Sequence, residues 1–262
     1  MRSAVVTGAA GGLGERIAAR LAGRGYAVVV ADVDEVGARA VARAIGRGAR
    51  AAELDVGDPR ACERVAAGAP GLAVWVNNAG LLSAGPAWEE PWARRRALLS
   101  VNAEGVVNGT LAALGAMGDD GHVVNVVSLA GLVAAPGEAL YAASKHAALA
   151  FSVGVQHDLR LAGRGARVSA LCPDGMWTPM LFDRASDPRA AASWFGTLLH
   201  PDEVADAAVG LLDRPRPVLA VPRWRGPLVR LLAAFPGLGL RASGPIMAVA
   251  RRKQRRFARR VL

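Results

Sequence analysis

The chain has 262 residues, 52% of them hydrophobic, and a formal net charge of +10. Its length is sufficient for one large domain with a full core, and no Ser/Gly-rich or charged linker divides it. Two cysteines and four scattered histidines are too few for a disulfide framework or a cysteine-based zinc site, so we expect a reducing compartment and no metal.

The positive charge is concentrated at the carboxyl end. No acidic residue follows Asp213, and the last 49 positions contain 13 Arg or Lys. The first 213 positions carry 19 basic and 22 acidic residues, a net charge of −3. Because the basicity belongs to a tail, we expect no nucleic-acid partner.

Short β-branched runs alternate with alanine- and arginine-rich helical stretches. The predicted strands are 4–6, 27–31, 51–54, 74–77, 122–127, 167–171 and 218–221. Their continuous apolar character is typical of strands covered on both faces. The pattern predicts an α/β fold with a doubly wound, Rossmann-type parallel sheet of seven strands. We assign one domain to residues 1–222 and a basic amphipathic C-terminal extension to residues 223–262.

The first strand runs directly into a glycine loop, so the amino terminus does not have the pattern of a secretory signal, and we expect a cytoplasmic protein. No run of about 18 uninterrupted apolar residues is present, and a membrane-spanning helix is therefore not predicted.

The loop after the first strand has the sequence TGAAGGLG from Thr7 and precedes a predicted helix. Glycines at such positions allow a tight turn, close approach of the backbone to a pyrophosphate and close packing of helix on sheet. The helix amino terminus would then present its N-H groups to the phosphates. The candidate cofactor contacts of this loop are Gly8, Gly11, Gly12, Leu13 and Gly14.

Asp32 ends the second strand, 18 positions after Gly14, where an acidic side chain can accept hydrogen bonds from an adenosine ribose. Its charge would repel a 2'-phosphate, and the glycine loop contains no Arg or Lys to offset that repulsion. The sequence therefore favours NAD(H) over NADP(H). The alternative is that Asp32 is a solvated turn residue at the strand end.

A serine, a tyrosine and a lysine follow one another at Ser128, Tyr141 and Lys145. A lysine four positions after a tyrosine lies on the same helical face, where its ammonium would lower the pKa of the phenol toward the working range. Lys145 and Lys253 are the only lysines in a chain that otherwise uses arginine. Taken alone, the pair is equally an ordinary exposed helix face, so its interpretation depends on the other motifs.

Together these motifs resemble the short-chain dehydrogenase/reductase family over nearly the whole chain, up to about Pro222. The shared segments are TGAAGGLG from Thr7, Leu54-Asp55-Val56, NNAG at positions 77–80, Val101-Asn102, Ser128 and YAASK at positions 141–145. The resemblance implies a nicotinamide-dependent oxidoreductase and a homodimer or homotetramer.

The resemblance also implies roles for individual residues. Tyr141 would exchange the proton on the substrate oxygen, Ser128 would bind that oxygen, Lys145 would bind the nicotinamide ribose, and Asn102 would anchor a water that connects Lys145 to solvent. Asn102 is otherwise an amide bonded within its helix, and Asn77 and Asn78 are otherwise turn formers. The remaining implied cofactor contacts are Asp55, Val56, Asn78, Ala79, Gly80, Pro173 and Thr178.

One position departs from the family pattern, because Asp174 follows Pro173 where glycine is usual and the glycine comes at Gly175. Asp174 could interact with a substrate or favour an oxidised, positively charged ring. We expect it to point into solvent, since aspartate is an ordinary turn residue.

Residues 173–200 break the strand and helix alternation and gather proline, tryptophan and phenylalanine, as expected of a lid over a ligand. An apolar pocket, and so a lipophilic secondary alcohol or ketone, is predicted. The candidate pocket walls are Leu81, Leu82, Leu129, Ala130, Val133, Pro136, Trp177, Met180, Leu181, Trp194 and Phe195.

The C-terminal extension has three interpretations. Apolar residues fall near one helical face after Gly244, with seven basic residues between Arg251 and Arg260 around them. Such a helix suits peripheral contact with an anionic membrane or packing on a neighbouring subunit. Charge runs are also common in disordered tails.

Two functions from different classes remain. The first is an NAD(H)-dependent oxidoreductase that acts on a lipophilic alcohol or ketone. The second is a non-catalytic dinucleotide-binding sensor or scaffold, for example at a membrane. A serine hydrolase is excluded, because Ser128 lies in VVSLAG and not in a Gly-x-Ser-x-Gly elbow.

Overall fold

The computed structural model describes residues 2–196 and 198–261, without the side chains of 259–261. Seven strands form one parallel sheet in the order β3-β2-β1-β4-β5-β6-β7. Their bounds are β1 Ser3–Thr7, β2 Ala27–Asp32, β3 Arg50–Glu53, β4 Leu72–Asn77, β5 His122–Val126, β6 Arg167–Pro173 and β7 Val218–Val221. The predicted doubly wound seven-stranded sheet is confirmed.

Helices cover both faces of this sheet. Their bounds are α1 Gly12–Gly23, α2 Glu35–Ile45, α3 Pro59–Ala67, α4 Trp92–Leu99, α5 Gly105–Ala116, α6 Ala139–Leu161, α7 Pro179–Phe182, α8 Pro201–Asp213, α9 Arg225–Ala234 and α10 Pro236–Val261. The central strands β1, β4 and β5 are fully buried, and a core cluster lies on each face of the sheet. One includes α1, α2 and α8, and the other includes α3 and α5.

Strands β1, β2 and β3 are added toward one edge of the sheet, and β4 to β7 are added toward the other edge. The order therefore reverses between β1 and β4, which lie side by side at the centre of the sheet. In open parallel sheets, ligands bind beyond the carboxyl ends of the strands at such a switch point. The glycine loop leaves β1 here, and the NNAG segment ends β4 here. The fold therefore brings these two distant motifs together.

Local sequence explains several helix boundaries. Asp34 caps α2 by accepting a hydrogen bond from the Gly37 N-H, and Asp58 caps α3 in the same way with the Arg60 N-H. Pro201 begins α8, and His200 with Glu203 forms a capping box there. These caps place helices where the alternation of apolar segments predicted them.

The segment at 173–200 contains little regular structure, as predicted. Its described residues, 173–196 and 198–200, form α7, a 3₁₀ helix at Pro188–Trp194 and a bridge between Met176 and Leu199. The C-terminal extension forms α9 and the 26-residue α10, which packs against this 3₁₀ helix. The disordered-tail interpretation is therefore wrong for residues 225–261.

Among the residues that the structure describes, one continuous helical run, Trp92–Ala116, has the length and composition of a membrane span. Its most apolar window is 44% buried, because α5 packs against α3 and β4. We interpret it as a core helix of the sheet. Helices α9 and α10 pass the same composition test only as a pair bent by 117°.

Candidate active site

One cavity of about 1540 Å³ extends along the carboxyl ends of the central strands. It joins most of the predicted residues, although they come from ten separate stretches of the chain. The predicted site residues that line it are Gly8, Gly11, Gly12, Leu13, Asp32, Asp55, Val56, Asn78, Ala79, Gly80, Ser128, Tyr141, Lys145, Pro173 and Thr178. Gly14 and Asn102 do not line it and lie directly behind its wall.

The glycine loop forms the floor of one end of the cavity. Gly8 has a φ of +62°, and a Cβ there would lie 2.6 Å from the Ala79 Cα, so the turn requires glycine. By contrast, a Cβ on Gly11 or Gly12 would meet no atom within 4 Å. No side chain caps α1 at Gly11, so the first N-H groups of the helix have no side-chain acceptor beside this open space. This space suits a phosphate group.

Gly14 has a packing role. A Cβ on Gly14 would lie 2.6 Å from the Asn78 Nδ2 and 2.9 Å from the Ala9 Cα. The helix can therefore approach the loop and the NNAG segment only because this residue has no side chain.

Asp32 lies at the same end of the cavity, at the end of β2. Its Oδ2 accepts a hydrogen bond from the Ala10 N-H at 2.9 Å, and its Oδ1 accepts one from the Asp34 N-H at 3.0 Å. Each carboxylate oxygen retains a further lone pair for an incoming hydroxyl. The side chain is thus oriented by backbone, and its bond with the Asp34 N-H also gives it the turn role that the alternative interpretation assigns to it.

Asp55 and Val56 continue the wall beside Asp32. The Asp55 Oδ1 accepts a hydrogen bond from the Gly57 N-H at 2.8 Å, which forms an Asx turn, while Val56 is buried. The Asn108 side chain donates to the Val56 carbonyl at 3.0 Å. This turn fixes the position of the Asp55 carboxylate at the cavity edge.

Thr7 and Asn78 connect the two loops of the switch point. The Thr7 Oγ1 accepts hydrogen bonds from the Asn78 and Ala79 N-H groups, both at 3.1 Å. In return the Asn78 Nδ2 donates to the Thr7 and Gly8 carbonyls at 3.0 and 2.9 Å. Asn78 therefore stabilises the turn and also lines the cavity, so its interpretations as a turn former and as a cofactor contact are compatible.

Asn77 is turned away from the cavity into the core. It accepts a hydrogen bond from the Trp75 Nε1 at 2.7 Å and donates to the Asn125 Oδ1 at 2.8 Å. Buried amides are stable when they are bonded in this way. Asn77 thus stabilises the sheet and does not line the cavity.

Asn102 lies in a π-helical turn, Ser100–Glu104, between α4 and α5. Its fully buried side chain accepts from the Leu81 N-H and donates to the Leu81 carbonyl, both at 2.8 Å, and donates to the Ser144 Oγ at 3.1 Å. Single π turns are frequent at functional sites. Both amide hydrogens are used, so one lone pair of Oδ1 remains available for a further donor.

Ser128, Tyr141 and Lys145 form the wall beyond the end of β5. Lys145 is 4% exposed, its Nζ donates to the Val126 carbonyl at 3.1 Å, and it lies 5.8 Å from the centre of the Tyr141 ring. The Ser128 hydroxyl oxygen accepts the Ala130 N-H at 3.1 Å and is also hydrogen-bonded to Tyr141. The three side chains therefore meet at one point, as their spacing predicted.

The pKa of Tyr141 differs from the sequence prediction. Burial raises it above the ordinary value, the hydrogen bond with Ser128 lowers it in part, and the nearby Glu138 raises it again. Burial also lowers the pKa of Lys145 to about 8. Desolvation is the largest of these effects, so the pKa of the phenol is raised and not lowered as the sequence predicted.

Asp174 does not point into solvent, so that prediction is wrong. Its Oδ2 lies 3.1 Å from the Arg225 Nε, and the side chains of Asp174 and Arg225 are only 11% and 14% exposed. Its backbone N-H donates to the Val221 carbonyl, and its Oδ1 accepts from the Gly175 N-H. Arg225 of α9, which is distant in the sequence, therefore holds Asp174 in place at the position where the sequence departs from the family pattern.

The other end of the cavity is apolar. Nine of the predicted wall residues line it, whereas Trp177 and Trp194 do not. These two tryptophans pack against Phe257 of α10, with ring centres 5.1 and 4.7 Å away. The prediction that they face the pocket is wrong, because they fasten the lid segment to the C-terminal helix instead.

Helices α9 and α10 supply a further part of the wall, whose individual residues were not singled out from the sequence, although the family resemblance implies that carboxyl-terminal segments often complete the pocket. These residues are Leu228, Val229, Leu232, Ala233, Pro236, Gly239, Leu240, Ala242, Ser243 and Ile246. The many small and apolar residues of 227–246 indicated an apolar surface in the sequence. Only the folded structure shows that this surface reaches the cavity.

Glu138 is a second missed residue of the site. It lines the cavity three positions before Tyr141, is 5% exposed, and accepts a hydrogen bond from the Ser193 hydroxyl of the 3₁₀ helix. Burial raises the pKa of this carboxyl to about 7, although Ser193 and Arg184 act in the opposite direction. No cluster of metal-ligating side chains occurs among the described residues.

Comparison with known proteins gives one consistent result. The short chain dehydrogenase family model matches residues 2–189. The chain is 41% identical over 225 residues to 1-deoxy-11-beta-hydroxypentalenate dehydrogenase of Streptomyces exfoliatus, covering 78% of this chain and 77% of that protein. It is 33% identical over 217 residues to the putative oxidoreductase SadH of Mycobacterium tuberculosis, covering 77% and 79%.

The fold is similar to a solved structure that contains a dinucleotide. A short chain dehydrogenase/reductase from Burkholderia phymatum in complex with NAD superposes with a TM-score of 0.81 and 28% identity, covering 91% of this chain and 95% of that one.

Proposed function

The chain is an oxidoreductase of the short-chain dehydrogenase family, and on that premise we propose that it uses NAD(H) to interconvert a lipophilic secondary alcohol and its ketone. One observation carries the proposal. A single cavity has the glycine loop and Asp32 at one end, Ser128, Tyr141 and Lys145 at its middle, and apolar side chains at the other end.

The described residues fit a nicotinamide dinucleotide. The uncapped start of α1 and the open space at Gly11 and Gly12 suit a pyrophosphate, and the oriented Asp32 carboxylate suits the two hydroxyls of an adenosine ribose. The same carboxylate disfavours a 2'-phosphate. NAD(H) is therefore preferred over NADP(H) in this proposal.

The bound nicotinamide would supply or accept the hydride at the substrate carbon. Tyr141 supplies the proton at the substrate oxygen. Its phenol lines the cavity and is hydrogen-bonded to Ser128, so Tyr141 is placed to act as the acid that protonates the oxygen of a ketone as the hydride arrives at its carbon. Ser128 is hydrogen-bonded to that phenol and can donate to the same substrate oxygen, which holds the oxygen beside the proton.

Lys145 stabilises the phenolate that remains when the proton has left. Its pKa of about 8 keeps it largely charged at neutral pH and also makes it a proton donor in the working range. Gly80 separates Lys145 from Asn102, since a Cβ there would lie 3.6 Å from Nζ and 3.4 Å from Oδ1. A water held by the remaining lone pair of Oδ1 would supply the replacement proton.

The substrate class follows from the apolar end of the cavity. The leucines of α9 and the lid segment surround the space beyond Tyr141, and the charged Arg225 is paired with Asp174. A large apolar compound with one hydroxyl or keto group fits this lining. The name of the Streptomyces relative, a dehydrogenase of a hydroxylated compound, supports an alcohol as the substrate.

Turnover with NADH and NADPH against a panel of apolar ketones tests the proposal. We expect oxidation of NADH, and Tyr141→Phe should lower kcat by at least about 10²-fold while the affinity for NADH is retained. NADH binding without turnover on a broad panel would support the non-catalytic sensor instead.

A further inference from the structure

The junction of α9 and α10 is an unusually apolar surface. Residues 231–240 have the sequence LLAAFPGLGL, without one polar side chain, and lie between Arg230 and Arg241. Four of its large side chains are more than half exposed: Leu231 60%, Phe235 54%, Leu238 56% and Leu240 76%. We call residues 231–240 the apolar elbow. Exposed apolar patches of this kind mark sites of protein or membrane contact.

The apolar elbow is held in position at both ends. Before it, Val229 is buried in a core cluster and Arg225 is paired with Asp174. After it, the second half of α10 is anchored, because Ala250 is fully buried and the Gln254 Nε2 donates to the Asp187 carbonyl at 2.7 Å. The elbow therefore projects from the domain as a defined shape, with its two helices bent by 117°.

The charge around the elbow selects its partner. The chain has no acidic residue after Asp213, so every ionised side chain that α9 and α10 themselves carry is basic. Four of these arginines, Arg251, Arg252, Arg255 and Arg256, line one shallow depression on α10. A second copy of this surface would bring like charges together in a two-fold interface. An anionic lipid surface complements both the leucines and the arginines.

The inner side of the elbow belongs to the cavity. Leu232, Pro236 and Leu240 line the same space as Tyr141, whereas Leu231, Phe235 and Leu238 do not. The elbow thus separates the apolar end of the cavity from the outside by a single layer of apolar residues. An apolar molecule could pass from a lipid layer to Tyr141 along this wall without a polar barrier.

We propose that the apolar elbow inserts into the interfacial layer of an anionic membrane, and that the cavity draws its substrate from the lipid. Docking itself depends only on the elbow and the arginines. Substrate delivery from lipid rests in addition on the proposed function.

Vesicle binding of the full chain tests the docking step. We expect sedimentation with vesicles of phosphatidylcholine and phosphatidylglycerol, weakened by salt, and much less with phosphatidylcholine alone. The double variant L231S/L238S should weaken binding at least about tenfold. The matched control V36S/L161S removes two exposed apolar side chains elsewhere, which are 76% and 87% exposed, and should bind like the unchanged chain.

Three outcomes would overturn the docking step. The first is that the unchanged chain does not bind anionic vesicles, and the second is that L231S/L238S binds them as tightly as the control variant does. The third is that L231S/L238S changes only the oligomer size measured by light scattering. Circular dichroism and thermal unfolding of each variant establish that it is folded before its binding is compared.

The delivery step has a separate readout. With an apolar ketone held in anionic vesicles, L231S/L238S should raise KM about tenfold, while KM for a short water-soluble ketone changes less than about twofold. Equal changes for both ketones would refute delivery from lipid. If no ketone is turned over, the proposed function fails, and the vesicle-binding result still decides the docking step.

Discussion

Glu138 should make the stability of the fold depend on pH near neutrality. Its carboxyl is buried beside Tyr141, accepts a hydrogen bond from Ser193, and has a pKa of about 7 in place of 4.5. The folded chain thus holds this proton more tightly than the unfolded chain does. The contribution of this group to the free energy of unfolding is fully present below about pH 4.5 and is lost as the pH rises through about 7.

The size of the effect follows from the two pKa values. Each unit by which the folded and unfolded pKa values differ corresponds to about 1.36 kcal/mol. The largest contribution of Glu138 to the free energy of unfolding is therefore about 3 kcal/mol. Between about pH 5 and pH 8, the free energy of unfolding should fall by about 2 to 3 kcal/mol from this residue alone. His122 acts in the opposite direction up to about pH 6.5, since burial lowers its pKa to about 4.

Glu138→Gln isolates the effect, because it removes this titration and leaves that of His122. Urea unfolding at several pH values should show that the free energy of unfolding of the unchanged chain, minus that of the variant, falls by about 2 to 3 kcal/mol from about pH 5 to pH 8. Glu63→Gln, at an exposed position of α3, is the control and should show no such slope. A difference for Glu138→Gln that stays constant with pH would refute the reasoning.

Two further predictions concern the cofactor end and the lid. Asp32→Ala should raise the ratio of kcat/KM for NADPH to that for NADH at least about tenfold, because the repulsion of the 2'-phosphate is removed; an unchanged ratio in steady-state assays would show that Asp32 does not set the preference. Phe257→Ala should lower the free energy of unfolding by about 3 kcal/mol, since the ring packs against Trp177, Trp194 and Phe182. A loss below about 0.5 kcal/mol in urea unfolding would mean that this aromatic cluster does not secure the lid segment.

The cofactor end of the site was predictable from sequence because its signals are local. The glycine loop and Asp32 are separated by one helix, and each has a distinct chemical requirement at its own position. The same is true of Tyr141 and Lys145 on one helical face. Their convergence with Asn78 then follows from the order of the strands.

The substrate end was less predictable because it depends on contacts between distant segments. Asp174 looked like a turn residue until Arg225, 51 positions later, was placed beside it. Trp177 and Trp194 looked like pocket walls because the position of Phe257 could not be inferred. The pKa of Tyr141 also depended on burial, which spacing alone does not give.

The wall of α9 and α10 lies after residue 189, where the match to the family model ends. The glycine loop, Tyr141 and Lys145 all precede that point, as do the wall residues from Leu81 to Leu181, so only a part of the substrate wall, including what α9 and α10 supply, lies beyond the match. A single recombination after β7 would exchange the entrance of the cavity and leave the proton-transfer groups unchanged. Chimeras made at this junction are therefore a direct route to new substrate ranges.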